Sequence, residues 1–244
     1  REKPADWNGN WLRMDPNATD LLVREFYRDW EQEQPGSYYL ERLDGEASSE
    51  PLTLATVAQL LDDTIGQFYL RAPQWQERSK QLVRFVANEV AMQQTEGGLA
   101  ANYYGPGWFE VEQDEALLIE VDPVPAAMWS VQLGNYWWES IDYLGHTASY
   151  NDSQVTTDPD GRVRFVIAHE DPGLANWLDP AGHTQGMMLF RQLQSQALMP
   201  LEFTLVKLAA LEQHLPPDVA RATPQDREAS YKMRQRHAAL RWAP

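Results

Sequence analysis

Residues 108–122, WFEVEQDEALLIEVD, decide the fold class. Phe109 and Val111 alternate with Trp108, Glu110 and Glu112, and Leu117, Ile119 and Val121 alternate with Leu118, Glu120 and Asp122. A repeat of two sends successive side chains to opposite faces, which describes strands with one apolar face. Further along, Trp129, Val131 and Leu133 share one face, with Met128, Ser130 and Gln132 on the other. Asp158-Pro159-Asp160-Gly161 is a turn ahead of Arg162 to Ala168, where Val163, Phe165 and Ile167 point one way, and Gly186 to Leu193 is the last strand. Parallel neighbours need helical crossovers, and none intervene, so residues 99–200 read as an antiparallel β-sandwich.

On the N-terminal side the period is helical, which makes the chain α+β. Residues 1–16 read as an extended arm. Asn17 or Thr19 caps a first helix carrying Leu22, Val23, Phe26 and Trp30, stopped by Pro35 and Gly36, and residues 38–43 suggest a short strand. Thr53 opens a second helix with the stripe Leu54, Val57, Leu61, Ile65 and Phe68. A third begins at Pro73 and buries Leu82, Phe85, Val86 and Val90 as far as about Gln93. The Gly-rich stretch Gly97 to Gly107 breaks the style, so residues 1–98 form a mainly helical N-terminal region. Residues 201–244 read as C-terminal helices packing on the body, one from Leu201 to Gln213 and one capped by Thr223, Pro224 and Asp226. Its Arg227, Lys232, Arg234, Arg236, His237 and Arg241 make it the basic segment of the chain, either docked on the acidic body or offered to a partner.

The 244 residues carry 36 acidic and 20 basic side chains, a net charge of −16. Nucleic-acid affinity comes largely from Lys and Arg neutralising phosphates, so nucleic acid is a poor partner. Hydrophobic residues make up 43%, mean hydropathy is −0.55, and no apolar run reaches the roughly 20 residues that cross a bilayer, so no membrane insertion is expected. Cysteine is absent, which removes disulfides, thiolate metal sites and cysteine nucleophiles together. Compartment stays open, cytoplasm favoured over periplasm. Phosphate-cradling glycine loops, the G-x-S-x-G elbow and H-E-x-x-H are all missing.

Chemistry concentrates in the loop from His169 to His183. It exceeds the usual hairpin length, and long ordered loops commonly carry function. There His169, Asp171 and His183 are the candidate catalytic residues, an imidazole base with a carboxylate orienter; the same groups also suit plain backbone hydrogen bonding. Trp137, Trp138, Asn151, Asn176, Trp177 and Arg191 are the candidate ligand contacts, since rings with a few neutral donors suit an apolar or carbohydrate-like molecule. No cofactor and no metal site is assigned.

Asp114-Glu115-Ala116-Leu117, Trp129 to Leu133, Ser149-Tyr150-Asn151, Asp158 to Gly161, Asp171-Pro172-Gly173, Asn176-Trp177-Leu178 and Gly182-His183, ending near Arg191, occur in the order of a bacterial family. Residues 108–213 thereby resemble the domain-of-unknown-function family 1214, and Arg24 to Trp30 resembles the upstream region of its longer members. The resemblance implies a jelly-roll-like sandwich in a longer chain and carries no catalytic assignment. Together these readings suggest a small-molecule-binding protein, whose enzymatic status is open, with its site at the sandwich rim. The alternative is a scaffold that forms homo-oligomers through its acidic body and basic final helix.

Overall fold

The computed structural model describes residues 3–15, 17, 18, 20–40, 51–83, 87–94 and 101–241. Its centre is two facing sheets. One contains β1 (Glu89–Val90), β2 (Gln93–Gln94), β3 (Tyr103–Glu110), β5 (Met128–Gly134), β6 (Ser149–Asn151) and β9 (Gln185–Leu193), in the order β1-β3-β9-β5-β6 with β2 also on β3. The other runs β10-β4-β7-β8, from Leu201–Lys207, Glu115–Val121, Val163–Ala168 and Asn176–Leu178. All pairings are antiparallel except β7 with β8. No helix among the described residues is long and apolar enough to cross a membrane.

The period-two faces meet between the sheets as expected. Phe109, Val131, Leu133, Met188 and Phe190 from the first sheet pack against Leu117, Ile119, Val121, Val163, Phe165 and Ile167 from the second. Phe165 sits among rings from the opposite layer, 6.2 Å from Trp129, 5.7 Å from Tyr150 and 6.4 Å from Phe190. A second apolar layer, with Leu118, Val166, Leu174, Trp177, Leu211 and Val219, covers the outer face of β4 and β7.

Several expected elements differ. The stretch 20–33 is not helical: Asp29 accepts from the Glu31 and Gln32 amides and Glu33 from those of Arg28 and Asp29, side-chain bonds that compete with a helical ladder. This arm lies on the sandwich instead, the Arg28 carbonyl accepting from Asn151 Nδ2 at 2.9 Å. Residues 38–40 are irregular, and 41–43 lie outside the described residues.

The second and third helices are one, α1 (Leu54–Val83), capped by Thr53 Oγ1 on the Thr56 amide with Pro73 inside it. Tyr69, whose carbonyl loses its usual donor there, is 74% exposed, so solvent satisfies it. The expected run to Gln93 fails because Val90 pairs in β1; Phe85 and Val86 lie outside the described residues. The stretch expected to mark a boundary instead carries Gly105 and Gly107 in the middle of β3, where a Cβ on Gly107 would strike the Glu89 backbone.

Leu201 to Gln213 is not a helix either. Residues 201–207 form β10, because the edge of β4 offers a full antiparallel ladder, and 208–214 close into a short 3-10 turn. The sandwich strands therefore run from Glu89 to Lys207, outside the 99–200 span on both sides. Only α2 (Pro224–Arg241) is a regular C-terminal helix, with Thr223 and Asp226 forming its reciprocal cap.

At one end of the second sheet, Arg162 pairs with Asp122, Glu120 and Glu202, and the buried Arg164 with Asp158, Asp160 and Glu120. The Arg164 guanidinium and the Arg162 amide hold the Asp160 carboxyl down at about 2. A depressed carboxyl stabilises the fold above its unfolded value near ~4, and that contribution disappears as pH falls through about 2. We predict that urea midpoints measured between pH 5 and pH 2 fall with acid, and that Arg164→Met flattens this part of the decline.

Candidate functional site

One rim of the sandwich gathers the ends of β3, β5 and β7 and the starts of β6 and β9. The links are short: the Thr184 carbonyl accepts from Val111 N–H at 2.8 Å, and the Val111 carbonyl contacts His169 Nε2 at 2.9 Å. Gln113 Nε2 lies 3.3 Å from His169 Nδ1. An amide donor there makes Nδ1 the acceptor and Nε2 the protonated nitrogen, so His169 ties β7 to the β3–β4 turn with both ring nitrogens engaged.

Asp171 is carried away from the other two. Its carboxylate accepts from Arg227 Nε at 2.9 Å and Nη2 at 3.0 Å, and from the Gly173 amide at 2.8 Å. Burial works against ionisation, yet these donors outweigh it and hold the carboxyl below the ordinary aspartate range. Arg227 also donates to the Leu174 and Ala175 carbonyls and lies 5.4 Å from the Trp177 ring, so the whole loop is clamped to α2. Trp177 itself donates to the Ala168 carbonyl at 2.8 Å. The expected His169–Asp171–His183 trio does not assemble, because the arginine takes the carboxylate.

His183 is exposed and borders an open hollow of about 420 Å³ with Asn135, Tyr136, Trp137, Gly182, Thr184 and Gln185. Trp137 is 49% exposed and stands edge-on to Tyr136 at 5.1 Å, which in turn stands edge-on to the buried Trp108 at 5.9 Å. Asn135 builds the turn below them by accepting from the Trp137 and Glu139 amides at 2.9 and 3.0 Å. Gly134 and Gly186 bring β5 and β9 together underneath; a Cβ on Gly186 would strike the Gly134 carbonyl. Of the predicted residues, this hollow unites Trp137 and His183.

The others serve elsewhere. Trp138, at φ 67°, turns the chain so that its ring faces Trp75 and Arg78 of α1, 5.9 and 4.8 Å away. Asn176, buried at the start of β8, donates to the Thr156 and Arg164 carbonyls and accepts from the Thr156 amide. Asn151 holds the N-terminal arm and the turn after β6. Arg191 lies over Tyr104 at 4.9 Å on the outer face of the first sheet, paired between β3 and β5 rather than at the rim.

Sequence reasoning missed the pair that does form. His146 Nδ1 lies 2.7 Å from Asp179 Oδ2, while Asp179 Oδ1 accepts from the Ala181 amide and its own amide donates to Thr147. A carboxylate on one ring nitrogen orients the other, the arrangement of a general base. Their separation of 33 positions hides it, and the available signal was only that each sits in a polar loop flanking a strand. Among the described residues no cluster of three His, Asp or Glu suits a metal ion.

No family model and no curated protein matches this chain. It is similar to an uncharacterised protein of Burkholderia cenocepacia with a known crystal structure, at 32% identity and a TM-score of 0.61, over 70% of this chain and 49% of that one. The chain thus spans about half of that protein's length. A protein from Vibrio parahaemolyticus is similar at 17% identity and a TM-score of 0.35, over 44% of this chain and 31% of that one.

His183→Ala should change stability by less than about 1 kcal/mol, because an exposed ring is removed. Asp171→Ala should cost about 2 kcal/mol or more, because the buried Arg227 loses its carboxylate. Urea unfolding of the two variants checks the contrast.

Proposed function

We propose that this chain is a small-molecule-binding module whose ligand, a neutral carbohydrate-like or flat apolar molecule, occupies the hollow between Trp137 and His183. The reading rests on one observation: in a chain of net charge −16, this lining contains no Asp, Glu, Lys or Arg, and it presents a half-exposed indole beside neutral polar groups. Aromatic faces stack on the C–H faces of sugars, and amide, hydroxyl and imidazole groups then supply orientation. The resemblance to family 1214 is compatible with a sandwich used this way. If turnover occurs, the imidazole–carboxylate pair for it is His146–Asp179 on the same rim, in place of His169 and Asp171.

The test is a titration of intrinsic fluorescence with a panel of neutral mono- and disaccharides, comparing the wild type with Trp137→Phe and His183→Ala. The chain has 10 Trp, so difference spectra isolate the contribution of Trp137. Saturable quenching, weakened about tenfold by either substitution and lost from the Trp137→Phe difference signal, is the expected result. No saturable change across the panel, or identical titration of all three proteins, overturns the reading.

A second reading, assembly, is favoured by α1 rather than by the basic helix. Leu54, Leu61, Ile65 and Phe68 are 92, 59, 52 and 68% exposed along one stripe, whereas Arg227 and Arg234 of α2 are buried in their own chain. Pairing of α1 with a second copy would persist in high salt, where acid–base pairing would dissociate. Light scattering after gel filtration should then show a dimer that Ile65→Glu converts to monomer; a wild-type monomer at all concentrations removes this reading.

A further inference from the structure

Three arginines of the described chain are essentially inside it, Arg164, Arg227 and Arg234, with 7, 9 and 2% exposure. The first two have carboxylate partners at hydrogen-bond distance. Arg234, the most buried, has none among the described residues. Its Nη2 donates to the Ser149 carbonyl at 2.6 Å and its Nη1 reaches Ser149 Oγ at 3.5 Å, while Nε has no acceptor. Rings take the remaining sides, Tyr150 at 5.5 Å and Trp30 at 5.8 Å.

A guanidinium removed from water without an anion is costly, and chains with abundant carboxylates normally supply one. Burial lowers the Arg234 pKa, opposed only by the tyrosines Tyr150 and Tyr231. An arginine nevertheless stays protonated at neutral pH.

Arg234 borders a second hollow of about 240 Å³, between the N-terminal arm and α2, shared with Trp30, Tyr150, Gln154 and Ser230. Gln154 repeats the pattern. Its Oε1 accepts from the Asn151 amide at 3.0 Å, which fixes the amide orientation, and its buried Nε2 has no acceptor. Two residues that each carry a buried side-chain donor without an acceptor among the described residues, one of them charged, therefore border the same cavity. We propose that this hollow binds a small monocarboxylate, its oxygens received by Arg234 and Gln154 and its apolar part lying against Trp30 and Met233. Asp29 and Glu31 also border the hollow and disfavour a dianion such as a phosphate ester. The volume suits a molecule smaller than a typical drug-sized ligand. The site is separate from the Trp137–His183 hollow and does not depend on the reading given for it.

The experiment uses the intact chain and two isosteric probes, benzoate and benzamide, followed by calorimetry and by thermal shift at constant ionic strength. Saturable benzoate binding with a raised Tm, absent with benzamide, is expected. Arg234→Gln should weaken it about tenfold or more and Gln154→Ala severalfold, while Trp137→Phe leaves it unchanged. If Arg234→Gln fails to fold, Gln154→Glu carries the comparison, since it keeps the acceptor for the Asn151 amide while replacing the unpaired donor with a carboxylate, and should abolish benzoate binding. Equal binding of benzoate and benzamide, tighter binding of inorganic phosphate than of benzoate, or no saturable binding of benzoate, acetate or propionate overturns the proposal.

Discussion

Everything in this fold is organised by β7, which is buried along its entire length and on both faces. Phe165 and its neighbours Val163 and Ile167 enter the core between the sheets, while Val166 and Ala168 face outward and still find no solvent. A strand buried on both sides requires a second cover, and a single sandwich layer cannot provide it. The loop after β7, the 3-10 turn and the segment around Val219 supply that cover. The Arg227–Asp171 pair follows from the same demand, because it fastens the loop to α2 and keeps Leu174 and Trp177 over β7.

This explains why the carboxylate most conspicuous in the sequence is structural. A loop that must seal an apolar layer has its polar groups satisfied locally, and Asp171, Asn176 and Trp177 all donate or accept inside the seal. The rim, where strands end and no layer has to be covered, leaves His183 and Trp137 accessible. Burial also separates the two hollows chemically. One has neutral walls and an exposed indole; the other has a buried cation for which no described residue provides the counter-charge.

The alternation at 108–133 and 162–168 was readable because a half-buried strand writes its two faces into consecutive residues. The failures were equally physical. Leu205, Leu208 and Leu211 stand three apart, yet the free edge of β4 drew residues 201–207 into a ladder. Leu22, Phe26 and Trp30 have helical spacing, but Asp29 and Glu33 captured the local amides and Trp30 stacked on His237 at 4.8 Å instead. Of the candidate site, Trp137 and His183 were legible as residue types in polar loops. The His146–Asp179 pair and the Arg234 hollow were not, since each joins segments more than 30 residues apart.

By itself, then, the sequence determined the strand faces, the helix caps at Thr53 and Thr223, and the acidic, cysteine-free character that excludes whole classes of chemistry. These are local quantities, set by neighbours a few residues away. Which carboxylate meets which arginine, which indole stays in solvent and which arginine is buried away from every described carboxylate were decided only by tertiary structure. They depend on distances across layers, and no local pattern carries those.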